Sequence, residues 1–152
     1  MALELDPIRG VKTWYGEQDR NQSEYAKQSV DGMIHEDCVT VTGSDYASLS
    51  FTLPAGALLI DSWVEVVEAF ALGGTTPTIA VGTDGSAPTN SIVDVAEADA
   101  EAVGTYAGVP AGTFTSPLAA DTACAIELGG TTPTITDAGK MYVHFRYKLD
   151  KR

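Results

Sequence analysis

Four consecutive side chains in "IHEDC", His35, Glu36, Asp37 and Cys38, have the atom types of a zinc site. Zinc needs imidazole nitrogen, thiolate sulfur or carboxylate oxygen converging on one point. Neighbours on an extended chain point to opposite faces, and no second cluster supplies the missing ligands. The other imidazole, His144, sits between Tyr142 and Arg146 on the polar side of a strand pattern and reads as a surface residue. "GTDGS" at residues 82–86 hints at calcium but lacks the alternating oxygens and the distant bidentate Glu of an EF-type loop. Asp-Gly there reads as a turn. Asp94, Glu97, Asp99 and Glu101 bring four carboxylates close together, without the aromatic groove that sugar hydrolysis favours. No GxSxG occurs, and no Ser, Cys or Lys is accompanied by a recognisable base. These residues imply neither an enzyme nor a cofactor nor a bound metal.

Charge is more informative than any motif. The chain has 152 residues and a formal net charge of −12. Residues 38–139 hold twelve carboxylates and no Lys or Arg, whereas residues 140–152 hold five cations and one acid. A body without cations cannot neutralise phosphates, so it is not expected to bind nucleic acid or an anionic membrane. No apolar run reaches the ~18 residues of a spanning helix, and "MALELDPIRG" has no signal-peptide pattern. Cys38 and Cys124 are too few for a disulfide framework and read as two reduced thiols.

The elements that position these residues are short strands. In "MYVHFRYKL", Met141, Val143, Phe145, Tyr147 and Leu149 fall on one face and Tyr142, His144, Arg146 and Lys148 on the other. "YASLSFTL" alternates in the same way from residue 46 to 53. A period of two marks a strand with one buried face. "CVTVT", "SWVEVVEAF", "TIAVG" and "TACAIEL" add further strands, with Trp63 assigned to the core. Gly, Pro, Asp and Thr clusters separate them all, as in a sandwich or barrel. "LGGTTPTI" occurs twice, at residues 72–79 and 128–135, and reads as two hairpin loops opened by Gly-Gly. "NSIVDVAEADAEAVG" at residues 90–104 reads as a short helix or helical turn ending at Gly104. Residues 1–37 form an irregular N-terminal arm or cover, and residues 38–152 the β-sandwich domain.

"FTLPAGALLIDSWVEVVEAF", "PTIAVGTDGSAPTNSIVDV" and "DAGKMYVHFRY" together resemble small virion proteins of tailed bacteriophages. These often carry a "PAG" turn before a long strand, a "VGTDG" turn before a helical N-x-I, and a closing "AGK-x-Y-V" strand. The resemblance spans residues 38–149 and implies a compact β-sandwich, often a jelly roll; with the strand and helix readings above, the expected fold is an all-β antiparallel sandwich, jelly-roll-like, with one short helix. It also implies a decoration or cement protein on the outer capsid surface, assembled in the host cytoplasm, whose partner is the major capsid protein. A tail or head–tail connector component and a carbohydrate- or receptor-binding β module are the rivals. The final strand carries the cations that the body lacks, and this positive edge on a negative body predicts a homo-oligomer, a trimer at capsid three-fold positions. The expected interface residues are Trp14, Tyr15 and Tyr25 of the arm, with Arg146 and Lys148 of the last strand.

Overall fold

Alternation along the last strand is borne out residue by residue in the computed structural model. Met141, Val143, Phe145 and Tyr147 are buried along β10 (Lys140–Leu149), and the residues between them are more exposed. The structure describes residues 34–149 together with two short strands, β1 (Leu5–Asp6) and β2 (Gly10–Val11). The chain divides into two compact units, residues 1–33 and residues 34–150. In the first, β1 and β2 pair antiparallel, Leu5 opposite Val11. In the second, β3 (Ile34–Thr42) begins ahead of residue 38, so His35, Glu36 and Asp37 belong to a strand and not to an arm.

The second unit is a two-layer sandwich. One sheet has the order β3-β10-β5-β8, with β5 spanning Ala57–Glu68 and β8 Gly104–Ala107. The other has the order β4-β9-β6-β7, formed by Ser50–Leu53, Thr122–Ile135, Leu72–Thr83 and Ser91–Ala96. Numbered along the unit, the sheets run first-eighth-third-sixth and second-seventh-fourth-fifth. That is the double Greek key of a jelly roll, and every described pairing is antiparallel.

The core lies between the inner faces. Val64 and Val66 of β5, Val143 and Phe145 of β10, Ile79 and Val81 of β6 and Ile126 of β9 fill it. Phe51 of β4 stacks on Phe145 across the layers at 5.5 Å between ring centroids. One buried hydroxyl, Ser62, donates to the Ile92 carbonyl at 2.8 Å and so ties β5 to β7.

Two expectations need correction. Residues 46–53 are not one strand: Tyr46–Ser48 form a 3-10 turn, closed by the Asp45 carbonyl accepting from the Ser48 N–H, and only Ser50–Leu53 are strand. Residues 91–96 are also strand, with Ile92, Val93 and Val95 buried, and the helix α1 is confined to Glu97–Ala100. Helix propensity in that stretch yields to the burial gained by pairing with β6.

The repeated octapeptide is not a pair of hairpin loops. Both copies lie inside long strands, β6 and β9, and they pair with each other. Leu72 stands opposite Ile135 and Ile79 opposite Leu128; Gly73 faces Thr134 and Thr78 faces Gly129. Identical segments paired antiparallel are related by a local two-fold axis, and the backbone obeys it. Gly74 and Gly130 have φ of 115° and 103°, and Thr76 and Thr132 have φ of 48° and 49°. A Cβ on Gly74 would lie 2.7 Å from the Thr132 carbonyl oxygen, and one on Gly130 2.6 Å from that of Thr76. The phrase is repeated because each copy supplies the half of a doubled β-bulge that the other requires.

Candidate functional site

Strand alternation separates the residues of "IHEDC". His35 stacks inward on Tyr147, with ring centroids 5.2 Å apart, and Asp37 shares the inner face of β3 with His35. Burial, and then the Asp37 charge, push the Tyr147 hydroxyl pKa up. Glu36 and Cys38 belong to the opposite, outer face, where Glu36 meets Arg146 and Cys38 meets His144. Among the described residues no three His, Cys, Asp or Glu side chains converge as a metal cluster. The calcium-like turn presents amides and not oxygens: the Gly85 and Ala87 N–H groups donate to the Glu127 carboxylate at 2.5 and 3.2 Å. Of the acidic row, Asp94 is on β7 and Glu97 in α1, while Glu101 accepts from the Leu72 N–H at 3.1 Å.

What the fold brings together is the outer face of the β3-β10-β5-β8 sheet. Register sets His144 opposite Trp63 on one side and Cys38 on the other, and sets Arg146 between Asp61 and Glu36. The Trp63 and His144 rings are parallel within 3° at 5.0 Å. The Arg146 guanidinium lies 4.9 Å from the Trp63 ring, and its Nε is 3.3 Å from Asp61 and 3.7 Å from Glu36. Beside this group, Lys140 Nζ is 5.1 Å from the Tyr142 ring. Each ion pair is partly exposed and contributes about 0–1 kcal/mol, with a similar increment from cation–π contact.

Trp63, assigned to the core by sequence, is half-buried on this outer face. The signal was present: Ser62, Val64 and Val66 are buried in alternation along β5, so alternation groups Trp63 with Glu65.

The face has stacking and charge but no activated nucleophile. Cys38 Sγ lies 3.9 Å from His144 Nε2, yet burial raises the thiol pKa, and the Glu65 and Glu36 carboxylates raise it further. A thiol held protonated by neighbouring anions is a poor nucleophile. Of the expected interface residues, Arg146 is at the centre of the face. Lys148 is exposed near the end of β10, while Trp14, Tyr15 and Tyr25 lie outside the described residues. The expected positive edge is not an edge: β10 lies inside its sheet, between β3 and β5. Its Arg146 is held by carboxylates of the same protomer.

No protein-family profile matches the sequence, and no curated protein matches it. Among solved structures, a chain in the capsid of Ralstonia phage GP4 is similar with a TM-score of 0.53 and 15% identity. That match covers 80% of this chain and 88% of the other. A chain of the cyanophage Pam1 capsid asymmetric unit aligns with 25% identity at a TM-score of 0.47, over 78% of this chain and 84% of that one. The first of these likenesses places the chain in a fold that a phage capsid chain also adopts.

Proposed function

We propose that the chain is a structural protein of a phage virion, a decoration or cement protein on the outer surface of the assembled head. The observation that carries this reading is the likeness to the Ralstonia phage capsid chain, which takes in most of both chains. The "PAG" and "AGK" segments support it as well, whereas the "VGTDG" turn leads into strand β7 and not into the helical N-x-I of the resemblance. The physics of the task fits as well. A protein that binds the assembled shell but not its dissociated subunits stabilises the shell by mass action, by about 2.7 kcal/mol per site at a hundred times the dissociation constant. Such a protein needs a rigid body and an interface, and the major capsid protein is the partner proposed. The homotrimer expected from sequence loses its charge argument, because the cationic strand is interior to its sheet, and the proposal rests on shell attachment alone.

Gold-labelled antibody on intact virions, from the genome that encodes the chain, tests this reading. Label spread over the whole head is the expected result. A single spot at one vertex would assign the chain to the head–tail connector, and label along the tail would assign it there.

A further inference from the structure

Four of the five strongly exposed large apolar side chains of the described unit, Ile60, Val67, Val103 and Val109, are on β5 or flank β8. Their exposure has local causes. Ile60 is the extra residue of a β-bulge, since Asp61 pairs with Arg146 while Leu59 pairs with Tyr147. Val67 and Val103 are one step beyond the last register pair, Val66 with Gly104, so both point away from the core. Val109 follows Gly108, whose N–H donates to the Ser62 carbonyl at 2.8 Å. Between these two ends lie Trp63 and Ala107, opposite each other in register. The result is a strip of exposed apolar side chains along the open edge of the sheet, with a half-buried Trp at its middle and the polar pair Glu65 and Thr105 between that Trp and the Val67–Val103 end. Val103 and Val109 are 68% and 76% exposed, which is wasteful for β-branched residues that cap an edge strand only four residues long. An apolar strip centred on a Trp and an Arg has the composition of an interface core.

We infer that this strip is the docking surface for the partner of the proposed function, and that the partner brings an apolar patch with a cationic rim. The inference rests on the decoration reading. Charge selects the partner. Residues 34–149 hold fourteen Asp and Glu against three cations, Lys140, Arg146 and Lys148. Arg146 is already bracketed by Glu36 and Asp61, and Lys140 stands in register with Glu68 and over Tyr142. Glu65 remains on the strip, facing Thr105. A second copy of this unit would bring the same acidic edge and be repelled, whereas a cationic rim would be attracted and steered.

The test uses the full chain and empty shells of the major capsid protein from the same genome. Three variants are compared with the unaltered protein: the double change Val103→Ser with Val109→Ser, and the single changes Thr105→Lys and Thr105→Glu. All three sites are exposed, so thermal melting of the free protein should stay within ~2 °C. The double serine variant should bind shells at least tenfold more weakly. Thr105→Lys should weaken binding and Thr105→Glu should not, and the difference should shrink as salt is raised. If the unaltered protein binds and all variants bind equally well, the strip is not the docking surface and the decoration reading survives. If Thr105→Glu is the weaker of the pair, the cationic rim is wrong. If the unaltered protein does not bind, both readings fall. A free protein that sediments as a dimer disrupted by the serine changes would assign the strip to a second copy and overturn the proposal.

Discussion

Cys124 is the residue whose surroundings most alter its chemistry. It is fully buried on β9, and burial pushes its thiol pKa from an ordinary value of about 9 up to about 11. The thiolate is therefore disfavoured in the folded state. In the unfolded chain the same thiol ionises near its ordinary pKa, so unfolding releases a proton above that pH. The stability contributed is fully present below pH ~9 and is lost as pH rises from there through about 11, by up to ~3 kcal/mol. Melting of the unaltered protein should drop over that window, and Cys124→Ala should flatten part of the drop. The Tyr147 hydroxyl, raised by burial and by Asp37, contributes in the same direction. A parallel pH profile in the variant would refute the assignment. Native-state alkylation should also reach exposed Cys38 before Cys124.

At the scale of elements, the β6–β9 ribbon replaces two hairpins with one symmetric device. A side chain at Gly74 or Gly130 meets positive φ and a partner carbonyl at once, so Gly74→Ala and Gly130→Ala should each cost ~1 kcal/mol or more. The local two-fold requires the two costs to agree within ~0.5 kcal/mol, near the error of such comparisons. Gly73→Ala and Gly129→Ala should cost less, because their nearest obstacles are the Thr134 and Thr78 side-chain hydroxyls, at 2.6 and 2.5 Å, which can rotate away. Thr76 and Thr132 are β-branched residues held in the left-handed region, so Thr76→Asn and Thr132→Asn should be neutral or stabilising. Chemical denaturation of all six variants checks the pattern. Widely different costs at Gly74 and Gly130 would show that the symmetry of the backbone is not a symmetry of energy.

For the whole molecule, the decisive property is that residues 34–150 contain both sheets and the described core. Expressed alone, they should give a strand-dominated far-ultraviolet spectrum and one cooperative melting transition. A helix-dominated spectrum or a non-cooperative melt would mean that residues 1–33 are part of the folding unit. The open edges also matter at this scale. The edge strands β4, β7 and β8 have four, six and four residues, and short edges limit non-specific pairing. The longer edge strand, β3, carries Glu36 and Asp37, which discourage it further.

The all-β class was legible in the sequence because a strand's period of two and its turn residues are local properties. Burial along β10 follows the letters "MYVHFRYKL" without exception up to Tyr147. The missing cations of residues 38–139 were equally plain, since composition needs no fold. The same alternation puts Trp63 on the outer face, against the core position that its size and apolarity suggest. What the letters could not decide is which strand neighbours which. Nothing local says that β10 lies between β3 and β5, so a cationic strand read as an edge turned out to be interior. Nor does an octapeptide announce that its partner is its own copy 56 residues away. Pairing of that kind is settled by loop closure and by the burial shared between distant segments, so only the tertiary structure could turn a repeated phrase into a two-fold bulge.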